Sequence, residues 1–319
     1  MAFERARASF PVFVPFLLAL FFSLGFYGLT GHIFIREDLS DFGLHYSHAL
    51  DPFGPHAEYY PPVFSLLWAV GARVLGSFDL AYIFLSCLIL FFLIPLACFH
   101  LSLSFWGRLD FAWCSFWASL LGSGSLFVFW VDGIIPQALA LVFLLLGLEA
   151  MQRDIMGESR GMAWSVALWG VLGLFTHQRF VYIYAVAVVL WLYLSARPRW
   201  AWKLGAGLLL GGLVFLQPIP FFFPGNIFEI VVLWMGGVYL LICLAYSLKS
   251  MPLADYTALA CLLSSFVDPM ARPVLFIPAL LSYRGTALFS EEARPFRWVF
   301  AISVVYLLAL VLGVLGHLY

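Results

Sequence analysis

The chain has 319 residues, of which 64% are hydrophobic, 19% aromatic and 10% charged. Its mean hydropathy is +1.01, whereas a soluble domain is roughly 45–50% apolar and 25% charged, so a water-soluble enzyme is excluded and a single polytopic all-α membrane domain over residues 1–319, with no soluble appendage, is expected. The formal net charge of −1 leaves no basic surface for nucleic acid, and no dinucleotide or P-loop motif is present.

The first element runs from Phe10 to Ile35, behind Arg5 and Arg7. It is longer than a signal-peptide core and lacks a small-residue cleavage site, so it reads as an uncleaved first span. Further apolar runs lie at 80–104, 111–131, 134–150, 162–177, 180–196, 204–222, 227–248, 252–267, 273–289 and 298–317, separated by charge, Pro or Gly. Together they predict about eleven transmembrane helices. The segment Pro61 to Ser77 is apolar but short and carries Arg73, which fits either a span or a helix lying at the interface. Loop charge decides between them. If it does not cross, Arg5, Arg7, Arg108, Arg153, Arg160, Arg197, Arg199, Lys203, Lys249, Arg284, Arg294 and Arg297 share one face, leaving Arg36, Arg73, Arg179 and Arg272 on the other. If it crosses, that bias collapses. The positive-inside rule therefore predicts a cytoplasmic N-terminus, a first outer loop over 36–78 with juxtamembrane helices, and a polar rim on the extracytoplasmic face.

Within that loop Asp38, Asp41, His45 and His48 are spaced i, i+3, i+7, i+10, one stripe of a helix, beside an apolar stripe of Leu39, Phe42, Tyr46, Ala49 and Phe53. The helix should end near Asp51-Pro52. His56, Glu58, Tyr59 and Tyr60 follow, and Pro61-Pro62 open the interfacial helix. The stripe has two readings. It is either the polar face any juxtamembrane helix needs, with tyrosines at headgroup level, or a cluster of carboxylates and imidazoles able to supply a general base or to bind a divalent cation. Nothing in it has the spacing of a zinc site.

The turns between later spans carry the remaining polar chemistry. Asp132, ahead of Pro136-Gln137, is either a helix cap or a second carboxylate of the rim. His177-Gln178-Arg179 interrupts an otherwise apolar stretch from Gly161 to Ala196, and such groups are costly at membrane depth. The two spans either turn there, with Arg179 snorkelling to headgroups, or His177 and Arg179 hold a phosphate. Asp268 and Arg272, at i, i+4, either neutralise one another or fix a cation at the rim between Pro269 and Pro273. The five cysteines, Cys87, Cys98, Cys114, Cys243 and Cys261, lie in apolar runs without CxxC spacing and read as small core residues.

In order, these features resemble the GT-C superfamily of integral-membrane glycosyltransferases, which use a lipid-phosphate-linked sugar. The resemblance covers chiefly residues 1–200. It rests on a first span followed by Asp38 and Ser40-Asp41-Phe42-Gly43-Leu44-His45-Tyr46, then Tyr59-Tyr60-Pro61-Pro62-Val63-Phe64, a Trp130-Val131-Asp132-Gly133 turn with Pro136-Gln137, a basic loop around Arg153 to Arg160, and polar residues near His177. It implies an inverting hexosyl- or pentosyltransferase, mannosyltransferase-like, that moves a sugar from a polyprenyl-phosphate donor to a glycan, lipid or protein acceptor. Asp41, or Asp38 as second choice, would be the catalytic base. The rim residues Arg179, His177 and Arg272 are then candidates for the donor phosphate. His45, His48, Glu58, Tyr59, Tyr60, Asp132, Gln137 and Gln178 are candidates for acceptor, sugar or metal. No cofactor is required by the sequence, although Mg²⁺ or Mn²⁺ is compatible with the loop carboxylates. The chain is shorter than the better-known members, lacks their soluble C-terminal domain, and has no Lys near His177 to Arg179. The alternative function is a transporter or flippase for a lipid-linked or polar solute, lined by Asp132, His177, Arg179, Asp268 and Arg272; ionisable groups near the midplane and broken helices would mark it.

Overall fold

The computed structural model of the protein describes residues 2–33, 42–54, 61–121, 126, 129–130, 133–157, 162–177, 180–195, 253–265 and 276–283. Among them there is no strand. The helices are α1 (Ala2–Thr30), α2 (Phe42–Leu50), α3 (Val63–Leu75), α4 (Phe78–Leu88), a π turn (Ile89–Leu93), α5 (Ile94–Trp106), α6 (Leu109–Leu121), α7 (Ile135–Ile155), α8 (Met162–Leu174), α9 (Phe180–Leu194), α10 (Leu253–Ser265) and α11 (Phe276–Leu281). Val12–Thr30, Phe78–Trp106 and Ile135–Ile155 are long and apolar enough to cross a bilayer. The protein is thus all-α and membrane-associated.

Local chemistry sets the ends of the longest run. Ser77 caps α4 by accepting the Leu80 N–H on its Oγ at 3.4 Å, and Gly107, at φ 64°, ends α5 with its N–H on Leu103 O at 2.8 Å. In between, Pro95 has no N–H to give. The helix loosens just before it, with Ile94 N–H reaching five residues back to Ile89 O.

Two cross-helix bonds fix which ends lie together. Tyr27 near the end of α1 donates its hydroxyl to Asp79 Oδ2 in the first turn of α4 at 2.9 Å. The chain therefore leaves α1 and enters α4 at the same end of the bundle, here called the upper end. Trp68 of α3 donates Nε1–H to Phe78 O at 2.7 Å, so α3 packs beside the start of α4. At the opposite end Trp106 donates to Tyr283 O at 3.0 Å, and the Tyr283 hydroxyl to Asp255 Oδ1 at 2.5 Å, which ties α10 and α11 to the end of α5. Arg108 and Asp110 pair there at 2.6 Å on the surface; the guanidinium holds the Asp110 carboxyl below the usual carboxylate range, but so exposed a pair contributes little to stability.

α7 is the centre of the bundle, packed on α5, α8 and α9. Tyr184 of α9 lies between two glycines, Gly147 of α7 and Gly170 of α8, and donates its hydroxyl to Val166 O. One helical stretch further on, Trp191 Nε1–H meets Asp154 Oδ2 at 2.9 Å. Both contacts join α9 to α7 seven residues apart on each helix, so the two run parallel. A β-carbon on Gly170 would sit 2.6 Å from Tyr184 Cε1. Gly170→Ala is therefore expected to destabilise by about 1–3 kcal/mol through overpacking, whereas Gly28→Ala, in α1 with nothing within 4 Å, gains helix propensity of about 0.5–1 kcal/mol. Thermal unfolding in detergent distinguishes the two.

Several sequence boundaries shift for physical reasons. α7 extends through Arg153 to Ile155 because Arg153 pairs with Glu149 one turn back at 2.6 Å, so Arg153 belongs to a helix and not to a basic loop. α6, Leu109–Leu121, accounts for the start of the 111–131 run, most of whose remainder lies outside the described residues. Cys87, Cys98 and Cys261 are buried, as small core residues should be.

Candidate functional site

The candidate site is built from the pieces that meet at the upper end. α2 enters it through its imidazoles. His45 and His48 are buried, while Leu44, Leu50 and Phe53 are exposed, so the polar stripe of this helix faces the protein rather than water. Beside it, Phe42 and Tyr46 join Phe64, Trp68, Phe78 and Tyr82 in an aromatic nest, Trp68 standing 4.8 Å from Tyr82 and 5.5 Å from Phe42. Of the two readings of this stripe, an outward polar face and an inward cluster, the burial of His45 and His48 favours the inward one, because the apolar and imidazole stripes are adjacent and one broad arc buries parts of both.

His48 is held at both nitrogens. Nε2 lies 3.1 Å from Pro52 O and Nδ1 2.8 Å from Ser65 Oγ. A carbonyl can only accept, so Nε2 carries a proton, while Nδ1 and the Ser65 hydroxyl share the second bond. The bond joins α2 to α3. Both ring nitrogens of His48 are thus engaged within the protein.

The far side of the site comes from two turns. Tyr82 donates its hydroxyl to Gly133 O at 3.2 Å, which brings the start of α7 against α4. Gln137, in the first turn of α7, is buried, and its Oε1 has no hydrogen-bond partner; a buried acceptor left open disfavours the free state by about 1–3 kcal/mol and favours any hydroxyl that can reach it. His177 closes the turn from α8 to α9, its N–H on Gly173 O and its O receiving Phe180 N–H, both at 3.0 Å. The turn is tight because Gly173 has no side chain and the Phe180 ring lies against it.

One bond joins the loop to this turn. Val63, the first residue of α3, donates its N–H to Phe175 O at 3.0 Å. An orphan donor at a helix start meets an orphan acceptor just past the end of α8, with the two helix dipoles in favourable sequence. His45, His48, Gln137 and His177 thus share the upper end, among 13 candidates named from the sequence. Asp38, Asp41, Glu58, Tyr59, Tyr60, Asp132, Gln178, Arg179 and Arg272 lie outside the described residues, as do Asp268 and Cys243. Two upper-end residues escaped the sequence reading. Ser65 sits in an apolar helix and is 17 residues from its histidine; Asp79, a carboxylate at the α4 start, had only the Ser77-x-Asp79 pattern of a helix start to mark it. Among the described residues no group of three or more His, Cys, Asp or Glu side chains could hold a metal ion.

No protein-family model, curated protein or solved structure matches this chain.

Proposed function

We propose that the protein is an inverting glycosyltransferase of the GT-C type, taking a sugar from a polyprenyl-phosphate donor in the membrane and passing it to an acceptor hydroxyl at the extracytoplasmic face. The observation that carries this reading is the Val63 N–H to Phe175 O bond, because it ties the first loop, with its carboxylate-bearing sequence, to the turn that holds His177 and precedes Arg179. In this reading about eleven helices span the bilayer, the N-terminus is cytoplasmic, and the upper end faces outward. A lipid-linked sugar has to be met at the interface, with its tail between helices and its headgroup in a polar rim.

The step is a displacement at the anomeric carbon. The acceptor oxygen forms the new bond to C1 while Asp41, or Asp38, takes its proton; the bond from C1 to the phosphate oxygen breaks, and its electron pair leaves on the lipid phosphate. His177, Arg179 and Arg272 stabilise that charge. Gln137 Oε1, open and buried, offers an acceptor for a sugar or acceptor hydroxyl. Asp38 and Asp41 are the groups that would hold Mg²⁺ or Mn²⁺.

A transporter is the second reading, favoured by the π turn at Ile89–Leu93 inside the longest apolar run. One pair of assays separates them. In proteoliposomes carrying a polyprenyl-phosphate sugar and a panel of glycan, lipid and peptide acceptors, a transferase releases lipid phosphate only when an acceptor is present. Acceptor-independent movement of the intact donor between leaflets, with no phosphate released, would establish the transporter.

A further inference from the structure

Helix starts at the upper end are closed by the protein itself in three cases: Ser77 caps α4, the Val63 N–H of α3 meets Phe175 O, and the Phe180 N–H of α9 meets His177 O. α7 has no such closure. Its N-cap residue is Ile134, which offers no side-chain cap, and Pro136 in the first turn has no N–H. Ala138 N–H bonds back onto Ile134 O at 3.3 Å, and the N–H groups of Ile135 and Gln137, which precede it, are the orphan donors that a helix start leaves. They stand among buried residues, Ile134 and Ile135 included.

A second, independent feature lies over the same turn. Gln137 is 7% exposed, and its Oε1 has no hydrogen-bond partner. It occupies the third helical position, from which a glutamine ordinarily reaches back to the N–H of the capping residue. Side chains on a helix lean toward its N-terminus, so the amide is directed over the open donors. Ser102 and Arg153 also keep a polar atom without a partner, but they lie in the C-terminal halves of α5 and α7, where a helix end offers carbonyls rather than N–H groups. The turn into α7 is held from the other side: Gly133 takes the left-handed conformation at φ 71°, and its carbonyl receives the Tyr82 hydroxyl at 3.2 Å.

We propose that the start of α7 is a phosphate seat. The N–H groups of Ile135 and Gln137 and the amide nitrogen of Gln137 donate to phosphate oxygens at the positive end of a 21-residue helix, while Gln137 Oε1 accepts a hydroxyl proton. A lipid phosphomonoester brings both groups, anionic oxygens and, near neutral pH, a P–O–H. A lipid-linked sugar phosphodiester brings the first and supplies the second from its sugar. The seat rests on the transferase reading for its occupant, the lipid phosphate that leaves the sugar, and it adds backbone donors to His177, Arg179 and Arg272.

Calorimetric titration of the full-length protein in detergent with farnesyl phosphate, farnesol and inorganic phosphate tests this. Farnesyl phosphate should bind and farnesol should not; equal affinity for inorganic phosphate would make the free ion the occupant of the same seat. Gln137→Glu, which puts a carboxylate of the same shape at the helix start, should weaken farnesyl phosphate binding about tenfold or more. Its melting temperature should hold or rise, since an acidic residue suits the first turn of a helix. Gln137→Met, similar in size and without the amide, should weaken binding as well, and it carries the test if the glutamate variant does not fold. Unchanged farnesyl phosphate affinity in either folded variant, or equal binding of farnesol, would overturn the proposal. Transfer assays keep the two ideas apart: Gln137-dependent phosphate binding without transfer to any acceptor retains the seat and removes the transferase, whereas transfer with phosphate binding indifferent to Gln137 removes the seat alone.

Discussion

Asp41→Asn is expected to lower the rate of acceptor-dependent lipid-phosphate release by about 10²–10⁴-fold, the range a positioned general base supplies. Asparagine keeps the shape of the carboxylate and can still accept a hydrogen bond from the acceptor hydroxyl, but it cannot take the proton. The loss should fall on kcat, with KM for the donor nearly unchanged, because donor binding is assigned to the His177 turn and Arg272 rather than to the base. Asp38→Asn is the companion variant. If Asp38 is the base, the two effects exchange places; if both variants keep full activity with unchanged melting, the loop carboxylates do no acid–base chemistry and the transferase mechanism is lost.

Trp68→Ala is expected to destabilise the protein by about 3–5 kcal/mol, the cost of emptying a large aromatic site in a packed core. Trp68 is fully buried and is the hub of the aromatic nest, touching rings from α2, α3 and α4, and its Nε1–H is bonded to Phe78 O. Removing it takes away the surface on which α2 rests. Hydrogen exchange should therefore accelerate in residues 42–50 and 63–75 first, while α7 to α9, anchored by Tyr184 and Trp191, stay protected. Trp68→Phe keeps most of the contact area and loses one hydrogen bond, so its penalty should be nearer 1 kcal/mol. Uniform loosening of the whole bundle in Trp68→Ala would show that the nest is not a separate unit.

The helical elements were legible from hydropathy alone where apolar runs coincide with backbone punctuation. The 80–104 run became Phe78–Trp106 because Ser77 and Gly107 mark its ends chemically. Legibility failed where a polar residue is satisfied from a distance. The charge cluster after residue 150 read as a loop, yet Arg153 finds Glu149 on its own helix and Asp154 finds Trp191 on a neighbour, so the helix continues through it. In α2 the spacing correctly grouped His45 with His48, but periodicity alone does not say which flank of a short helix turns inward. That depended on Ser65 and the carbonyl of Pro52, partners that no local pattern announces. The close association of the first loop with the His177 turn was legible only as a shared side of the membrane; the backbone bond from Val63 to Phe175 that enforces it leaves no trace in side-chain identity.

The centre of the bundle has a consequence for how the protein is made. Of the three long apolar helices, α7 has the lowest hydropathy, 1.6 against 2.1 and 2.6, and the largest enclosed share, 78% against 17% and 56%. A nascent chain that has emerged only as far as residue 155 presents Gln137, Glu149, Arg153 and Asp154 to lipid or translocon with neither α8 nor α9 yet synthesised, a segment with weak insertion energy of its own. In the proposed membrane arrangement α5 is already in place to receive it, while Tyr184 and Trp191, which complete its surroundings, arrive only with the last of the next two helices, so this region would be assembled as a parcel rather than one span at a time.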